Sequence, residues 1–185
     1  MLIADMDKAV QAIEAAVDNE IKITVYGDYD CDGVTSTVML FTHLDAIGAD
    51  VNWYIPTREE GYGLNENAIR KLHEDGTGLI ITVDNGVSAV NEAELIYELG
   101  MKLVVTDHHQ LPEILPKAEA IVNPHRQDDN SPYKELAGCG VALKLIMALE
   151  RDVEGVLEQY ADLAAIGTIG DVVALTGENR IIVKR

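Results

Sequence analysis

The sequence predicts an α/β fold with a parallel sheet flanked by helices, followed by a helical C-terminal part. Short apolar stretches alternate with longer segments in which apolar residues recur every three or four positions. This alternation is typical of strands that are joined by helices. Connecting helices of roughly ten or more residues indicate parallel strands. Residues 79–83 are apolar almost throughout, as expected of a parallel strand that is covered on both faces.

The first half of the chain supplies three of the predicted strands. Ala9, Ile13 and Ala16 lie at helical spacing and predict a helix over about residues 5–17. A helix that opens at Gly33 follows the first strand, because Gly33 precedes a run of apolar residues at helical spacing. In order, the elements are a helix at 5–17, a strand at 21–26, a helix at 33–46, a strand at 51–55, a helix at 65–74 and a strand at 79–83.

The second half changes from alternating elements to helices alone. A helix at 89–99, a strand at 102–106 and a short strand at 120–122 complete the predicted sheet. No strand pattern remains after Pro132, and helices are expected at 136–150, 153–160 and 163–169. We therefore expect a single domain over residues 1–185, with an α/β part over about 1–130 and a helical part over about 131–185.

The charge balance restricts the partners that the chain can bind. The formal net charge is -18, from 32 acidic and 14 basic residues, whereas phosphate binding usually depends on Lys and Arg. Any nucleic-acid contact must then be local, mediated by metal or supplied by another domain. The two cysteines are too few for a disulfide framework. No apolar run approaches the roughly 18 residues of a membrane span, and no signal peptide is evident, so a cytoplasmic protein is expected.

Three carboxylates crowd the loop after the first strand and indicate a cation site. Asp28, Asp30 and Asp32 alternate within five residues, and they repel one another unless a positive charge is supplied. A calcium EF-hand is excluded, because the twelfth loop position is Met39 rather than glutamate and a strand precedes the loop. The same residues also resemble the opening of haloacid-dehalogenase phosphatases, in which the first aspartate is a nucleophile.

Further acidic and histidine clusters follow other strands. Asp84 comes directly after the strand at 79–83, and the triplet Asp107-His108-His109 comes directly after the strand at 102–106. Ligands of parallel sheets bind at the carboxyl ends of the strands. Clusters at three strand ends therefore predict one composite site. Asp171 follows small residues that would let the backbone come close to it.

These motifs, in order, resemble those of the DHH phosphoesterase family. The matching motifs are GDYDCDG, VDNG, TDHHQ and IGDVVAL, and the resemblance extends from Asp5 to Arg185. Within the family, the first motif, the loop at 57–64 and the glycine loop before KLI are similar to the single-strand-specific DNA exonucleases. The resemblance implies a smaller C-terminal domain that helps to hold nucleic acid. That domain is absent from this sequence, which we expect to be the catalytic domain alone.

The resemblance assigns roles to the residues that match the motifs. It implies that Asp84 bridges two metal ions, and that His108 and Asp171 are ligands of one of them. Asp107 is expected to orient a histidine from outside the ligand set, and His109 to contact phosphate or to donate a proton. Oxygen-rich ligation with a single imidazole suits manganese or magnesium. The full set of expected metal ligands is Asp28, Asp30, Asp32, Asp84, His108 and Asp171.

The implied activity is two-metal hydrolysis of single-stranded DNA in the 5′ to 3′ direction, in DNA repair and recombination. Asp84, His108 and His109 are the expected catalytic residues. The expected partners are single-stranded DNA, a single-stranded-DNA-binding protein and a helicase, with no membrane. Arg58, His125, Gly138 and Gly140 are candidates for substrate binding, since guanidinium groups and free helix N–H groups bind phosphates. Arg58 could equally form an ion pair with Glu59 or Glu60, and the glycines could form a simple turn.

Three alternatives remain open at this point. The dehalogenase-type reaction needs a second late aspartate, but Leu175 occupies that position, and it leaves Asp107-His108-His109 unexplained. Nano-RNases and cyclic-dinucleotide phosphodiesterases belong to the same DHH family but usually carry a histidine before a shorter first motif. A scaffold without activity would be expected to lose motif residues, and all of them are present.

Overall fold

A computed structural model describes residues 2–185. The strands are β1 (Ile23–Tyr26), β2 (Val51–Tyr54), β3 (Leu79–Val83), β4 (Lys102–Thr106) and β5 (Ala120–Val122). The helices are α1 (Met6–Asp18), α2 (Cys31–Ala46), α3 (Glu66–Glu74), α4 (Val90–Glu98), α5 (Gly138–Glu150), α6 (Val153–Gly170) and α7 (Gly177–Lys184). The five strands form one sheet in the order β2-β1-β3-β4-β5, and every pair is parallel. The predicted α/β class with a parallel sheet is confirmed.

Helices cover both faces of the sheet. Leu79, Ile81 and Val83 of β3 join the core formed with α1, α2, α5 and α6. Ile80 points the opposite way, into the core formed with α3 and α4. Successive side chains of a strand alternate between faces, so both sets are removed from water. This explains why β3 is apolar throughout, and burial of each such side chain contributes roughly 1.5–3 kcal/mol.

The strand order determines where a site can form. β1 lies between β2 and β3, so the chain leaves β1 toward β2 on one side and returns to β3 on the other. The crevice at the carboxyl ends of two such strands is the usual ligand position of open α/β sheets. The Asp28 loop follows β1 and Asp84 follows β3, which places both at this crevice.

The structure corrects the predicted helices at three points. α2 begins at Cys31 rather than at Gly33, because the Asp30 side chain caps it by accepting a 2.8 Å hydrogen bond from the Gly33 amide. The two helices expected at 153–160 and 163–169 are one continuous helix, α6. α7 was not predicted; its buried Asn179 donates hydrogen bonds to the carbonyl oxygens of Glu135 and Ala174 and fixes it to the preceding chain.

The helices after residue 131 share the core of the sheet. Buried residues of α5, α6 and α7 belong to the same apolar cluster as those of α1 and α2. The C-terminal helices therefore pack directly on the α/β part, and α6 reaches the crevice through its last turn. None of the helices within residues 2–185 is both long and apolar enough to cross a membrane.

Gly167 allows α6 to approach its neighbours closely. A Cβ atom at Gly167 would lie 2.3 Å from Thr35 Oγ1 and 2.7 Å from Cys139 Sγ, both much shorter than ordinary contacts. Thr35 is in α2 and Cys139 is in α5. The absence of a side chain at Gly167 therefore decides how near α6, with Asp171 at its end, lies to the crevice.

We expect Gly167→Ala to destabilise the fold by about 1–3 kcal/mol, because the added methyl group overpacks the contact with α2 and α5. Chemical denaturation monitored by circular dichroism measures the change in the free energy of unfolding. Ile166→Ala is the matched control, since Ile166 is the adjacent, exposed residue of the same helix and should change stability by less than about 0.5 kcal/mol. Equal stability of Gly167→Ala and the wild type would contradict the proposed close approach.

Candidate metal centre

The candidate site lies at the carboxyl edge of the sheet, where the predicted motifs meet. Asp84 follows β3, and His108 and His109 follow β4. Asp32 lies in the first turn of α2, and Asp171 is the residue that caps the C-terminal end of α6. Two strand ends and two helix ends thus direct their side chains to one place.

His108 is at the centre of this arrangement. Its Nε2 atom lies 3.1 Å from Asp84 Oδ1, 3.7 Å from Asp171 Oδ2 and 3.8 Å from Asp32 Oδ2. An ion with bonds of about 2.1 Å holds neighbouring ligands about 3.0 Å apart and opposite ligands about 4.2 Å apart. The observed separations lie within this range, so the atoms are spaced as ligands of divalent cations are.

Two overlapping groups of three side chains could each hold an ion. The first is Asp84, His108 and His109, and the second is Asp32, His108 and Asp171; within each group the ligand atoms lie within 4.8 Å of one another. His108 belongs to both groups. An imidazole nitrogen has one lone pair, so His108 would bind one of two neighbouring ions. The two groups offer oxygen and imidazole ligands suited to manganese or magnesium.

Several buried polar atoms in the site have no hydrogen-bond partner. Among residues 2–185, four of the ten such atoms belong to the predicted ligands, namely Asp28 Oδ1, Asp84 Oδ1, His108 Nε2 and Asp171 Oδ2. His108 and Asp84 approach each other without the geometry of a hydrogen bond. A buried polar atom without a partner costs about 1–3 kcal/mol. Their concentration at one point is what a cation site requires, because the ion supplies the missing partner.

Burial also disfavours the charged form of these carboxyl groups. It is the main cause that raises the pKa of Asp84, and the neighbouring charges of Asp32 and Asp30 raise it further. Burial likewise raises the pKa of Asp28 and of Asp171. A cation reverses this effect, because the ionised carboxylates become its ligands and their protons are released.

Asp32 is held by the N-terminus of α5. Its two carboxylate oxygens accept hydrogen bonds from the amides of Gly138, at 2.6 Å, and Cys139, at 2.7 Å. A negative charge is favourable at this end of a helix. The bonds therefore fix the Asp32 carboxylate from one side and leave Oδ2 within reach of His108.

The two glycines predicted to bind substrate are part of this packing. Gly138 is buried, its amide donates to Asp32, and a Cβ atom there would lie 2.5 Å from Asp84 Oδ1. A Cβ atom at Gly140 would meet Leu136 at 3.0 Å. The Gly138 amide is thus occupied, which leaves it no free N–H for a phosphate. The geometry favours a turn that lets α5 approach Asp84 and Asp32.

The other two aspartates of the first motif are placed differently from Asp32. Asp28 is buried and contributes one of the atoms without a partner, yet it lies outside both groups of three. Asp30 is exposed, and one of its oxygens caps α2. The structure therefore brings Asp32, Asp84, His108 and Asp171 together, with Asp28 and Asp30 beside them in the same loop.

Asp107 orients the histidine that follows His108. Its Oδ1 atom accepts hydrogen bonds from the backbone amides of His108 and His109, at 2.7 and 3.0 Å, and lies 2.7 Å from His109 Nδ1. Oδ2 accepts from the Val87 amide. The bond to Asp107 raises the pKa of His109. Burial alone would raise the pKa of Asp107, but its bonds to His109 and the backbone lower it.

Arg58 lies beside the Asp28 loop, and His125 follows the end of β5. The guanidinium group of Arg58 is 4.8 Å from the centre of the Tyr29 ring, a cation–π contact next to the Asp28 loop. Within residues 2–185 no ion pair joins Arg58 to Glu59 or Glu60. His125 is half-buried, and its amide donates to Asn123 Oδ1.

Sequence reasoning missed two residues that contact the site. Asn123 donates from Nδ2 to the carbonyl oxygen of His109 at 3.0 Å, and so connects the end of β5 to the DHH triplet. Tyr62 places its hydroxyl 2.9 Å from the carbonyl oxygen of Asp84 and 3.2 Å from His109 Nδ1. The position of Asn123 directly after a strand, and of Tyr62 between two glycines of the 57–64 loop, were the available signals.

We expect the metal-free protein to lose stability relative to Asp84→Asn as the pH rises. The folded protein holds the Asp84 proton above the ordinary pKa of 3.8, whereas the unfolded chain releases it. The contribution of the Asp84 proton to the free energy of unfolding is therefore complete below about pH 4. It decreases as the pH rises from there to the raised pKa of the folded protein. With a chelator, Asp84→Asn should be the more stable protein at pH 8 by at least about 1 kcal/mol, since a tenfold change in proton affinity corresponds to about 1.4 kcal/mol. This advantage should shrink at pH 5.

Urea unfolding at the two pH values measures this difference. Asp162→Asn is the control, since Asp162 is an exposed carboxylate of α6 and should follow the wild type. Added manganese should reverse the order, because only the wild type keeps the complete ligand set. An Asp84→Asn protein that gains as much stability from manganese as the wild type does would contradict the assignment.

Comparison with known proteins identifies the family of this chain. The model of the DHH family, N-terminal domain, matches residues 22–168. The single-stranded-DNA-specific exonuclease RecJ of Bacillus subtilis is 48% identical over 96% of this chain and 22% of its own length. RecJ of Escherichia coli is 39% identical over 97% of this chain and 34% of its own length. The chain thus spans about a fifth to a third of these relatives.

A solved structure shows the same fold. The crystal structure of exonuclease RecJ bound to manganese superposes with a TM-score of 0.90 and 40% identity, over 100% of this chain and 47% of that one. The match of the family model includes the Asp28 loop, Asp84 and the DHH triplet. The motifs occur in the family's order and converge at the crevice, and the family model matches most of the chain. The chain therefore belongs to the DHH family.

Proposed function

We propose that this chain supplies the catalytic centre of a RecJ-like exonuclease that hydrolyses phosphodiester bonds of single-stranded DNA, with 5′ to 3′ polarity, in DNA repair and recombination. The observation that carries the proposal is the convergence of buried, unpartnered ligand atoms of Asp84, His108 and Asp171 at one point. The relatives that match over 96–97% of this chain are single-stranded-DNA-specific exonucleases, and they extend the proposal to the substrate.

The site would hold two divalent ions, manganese or magnesium. The ligands would be Asp28, Asp30, Asp32, Asp84, His108 and Asp171; the resemblance assigns Asp84 to both ions, and His108 and Asp171 to one of them. When bound, such a pair of ions activates a water molecule and offsets negative charge on the phosphate and on the leaving oxygen. The metal-bound RecJ structure supports manganese as the first ion to test.

The chain's own residues define the geometry around that chemistry. Asp32 and Asp84 are fixed by the α5 amides and by the close approach of Gly138. His109 directs Nδ1 toward Asp107, so its Nε2 atom faces away from Asp107 and can exchange a proton with, or donate to, a phosphate oxygen. The hydrogen bond to Asp107 raises the pKa of His109, which favours the protonated ring that such a donor requires.

Arg58 and His125 are the proposed contacts to the DNA outside the ligand set. The Arg58 guanidinium is exposed on one side and held over Tyr29 on the other, so its donors are free for a phosphate. Local contacts of this kind fit a chain with a net charge of -18. Gly138 enters the proposal through packing beside Asp84 and Asp32, and Gly140 through its close approach to Leu136.

The remaining features of the proposal rest on the resemblance to RecJ. These are the cytoplasmic location and contacts with a single-stranded-DNA-binding protein and a helicase. Membership of the DHH family removes the dehalogenase-type alternative, and the intact ligand set disfavours a scaffold without activity. The nano-RNase and cyclic-dinucleotide alternatives are not favoured, because the matched relatives are DNA exonucleases.

We expect the chain to degrade single-stranded DNA in the presence of manganese, and Asp84→Ala to reduce the rate at least about 100-fold, as removal of a central ligand should. The assay uses strands labelled at either end, with Asp162→Ala as the surface control. Early release of the label as short products from strands labelled at the 5′ end supports the proposed polarity. Rapid hydrolysis of dinucleotides, with longer DNA left intact, would replace the proposal with the nano-RNase alternative.

We expect Arg58→Ala to raise the KM for single-stranded DNA about tenfold with little change in kcat, because a charged hydrogen bond to phosphate contributes about 1.5–3 kcal/mol. Steady-state kinetics at saturating manganese measures both constants. Arg70→Ala is the control, since Arg70 pairs with Glu66 on the exposed face of α3. An unchanged KM for Arg58→Ala would leave Arg58 as a residue that only packs on Tyr29.

A further inference from the structure

Tyr62 connects the loop at residues 57–64 to the metal centre. Its hydroxyl lies 2.9 Å from the backbone carbonyl oxygen of Asp84 and 3.2 Å from His109 Nδ1. Its ring meets the His109 ring edge to face, with centres 5.7 Å apart. One side chain thus contacts residues that follow two different strands, β3 and β4.

The directions of these hydrogen bonds follow from the groups present. The Asp84 carbonyl only accepts, so the Tyr62 hydroxyl donates its single hydrogen there. Asp107 Oδ1 also only accepts when ionised, so His109 Nδ1 carries a hydrogen directed at Asp107. The Tyr62 oxygen can then receive part of that N–H as a second acceptor. These contacts fix the plane of the His109 ring and direct Nε2 away from Asp107.

Asp84 has a backbone conformation that benefits from such a tether. Its φ is 62°, in the left-handed region that residues other than glycine rarely adopt. This conformation costs of order 1–3 kcal/mol and persists where the surroundings enforce it. The hydrogen bond from Tyr62 to the Asp84 carbonyl is one contact that fixes the orientation of this peptide, and with it the direction of the side chain.

The loop that carries Tyr62 is itself anchored elsewhere. The Tyr26 hydroxyl donates to the carbonyl oxygen of Gly63 at 3.1 Å. Tyr54 donates to the Glu60 carboxylate, which also accepts from the Thr57 amide at 2.8 Å. Tyr62 therefore extends from a loop with its own supports, and its hydroxyl is not needed to keep the loop in place.

We propose that Tyr62 is a positioning residue of the metal centre, which fixes the Asp84 peptide through its hydroxyl and the His109 ring through both its hydroxyl and its ring. It acts through these two residues and does not itself bind a metal ion or the reacting phosphate. The inference rests on the proposed function for the identity of the ion. The contacts that carry it are independent of the DNA substrate.

The test compares Tyr62→Phe with Tyr54→Phe. The first keeps the ring contact with His109 and removes the bond to Asp84, whereas the second removes a hydroxyl that supports the same loop but does not contact the site. Manganese affinity, measured by electron paramagnetic resonance of the free ion without DNA, should fall about tenfold for Tyr62→Phe, within the range found when outer-shell partners of metal ligands are removed. Tyr54→Phe should change it less than about twofold.

Two further measurements separate positioning from other roles. Cooperative thermal unfolding and the circular dichroism spectrum of the wild type should show that both metal-free variants keep the fold. At saturating manganese, Tyr62→Phe should lower kcat and leave the KM for DNA unchanged. Tyr62→Leu, which also removes the ring contact with His109, should weaken manganese binding more than Tyr62→Phe does.

Unchanged manganese affinity in Tyr62→Phe would overturn the inference, as would an equal loss in Tyr54→Phe. A raised KM with normal manganese affinity would instead make Tyr62 a direct contact to DNA, and would also overturn it. If the wild-type chain binds manganese but degrades no DNA, the proposed function fails, while the comparison of metal affinities still decides the role of Tyr62.

Discussion

Carboxylates that are held within a few ångströms of one another repel, and burial strengthens the repulsion. At 4 Å, and with the effective dielectric constant of a partly buried site, two like charges interact by about 4 kcal/mol. Asp32, Asp84 and Asp171 converge on His108 at distances of 3.1–3.8 Å. The surrounding hydrogen bonds and helix packing hold these carboxylates in place despite their mutual repulsion. A bound cation would offset that repulsion.

The fold supplies that support from several directions at once. The strand order places the loops after β1 and β3 on either side of one crevice. Two backbone amides at the N-terminus of α5 donate hydrogen bonds to the Asp32 carboxylate and stabilise its charge. Gly138 allows the helix to come near enough for these bonds to form. Gly167 lets α6 deliver Asp171 from the other side. Asp107, Asn123 and Tyr62 then fix the histidines and the Asp84 peptide.

Much of this could be predicted from the sequence, because strand patterns and strand-end motifs are local signals. Apolar runs located all five strands, and parallel pairing predicted that Asp84 and the DHH triplet would meet. The boundaries of α2 and α6 were harder to predict from the sequence. Asp30-Cys31-Asp32-Gly33 has the composition of a loop, yet the Asp30 side chain caps a helix that begins at Cys31. α6 continues through Gly167 because the close packing against α2 and α5 requires a small residue there and outweighs the low helix propensity of glycine.

The site residues that were missed depend on contacts that the sequence does not encode locally. Tyr62 and Asp84 are 22 positions apart, and their hydrogen bond exists only after the loop folds over β3. The same holds for the Gly138 amide, which the sequence suggested for phosphate and which the fold gives to Asp32, 106 positions away. Predicting these partners requires the assembled crevice.

The central claim is that the unpartnered atoms around His108 are ligands of two divalent ions. A crystal structure of the chain grown with manganese, with anomalous diffraction recorded at the manganese edge, tests it most directly. Two anomalous peaks are expected between the side chains of Asp32, Asp84, His108 and Asp171. Manganese found only at exposed carboxylates, with His108 and Asp84 hydrogen-bonded directly to each other, would contradict it.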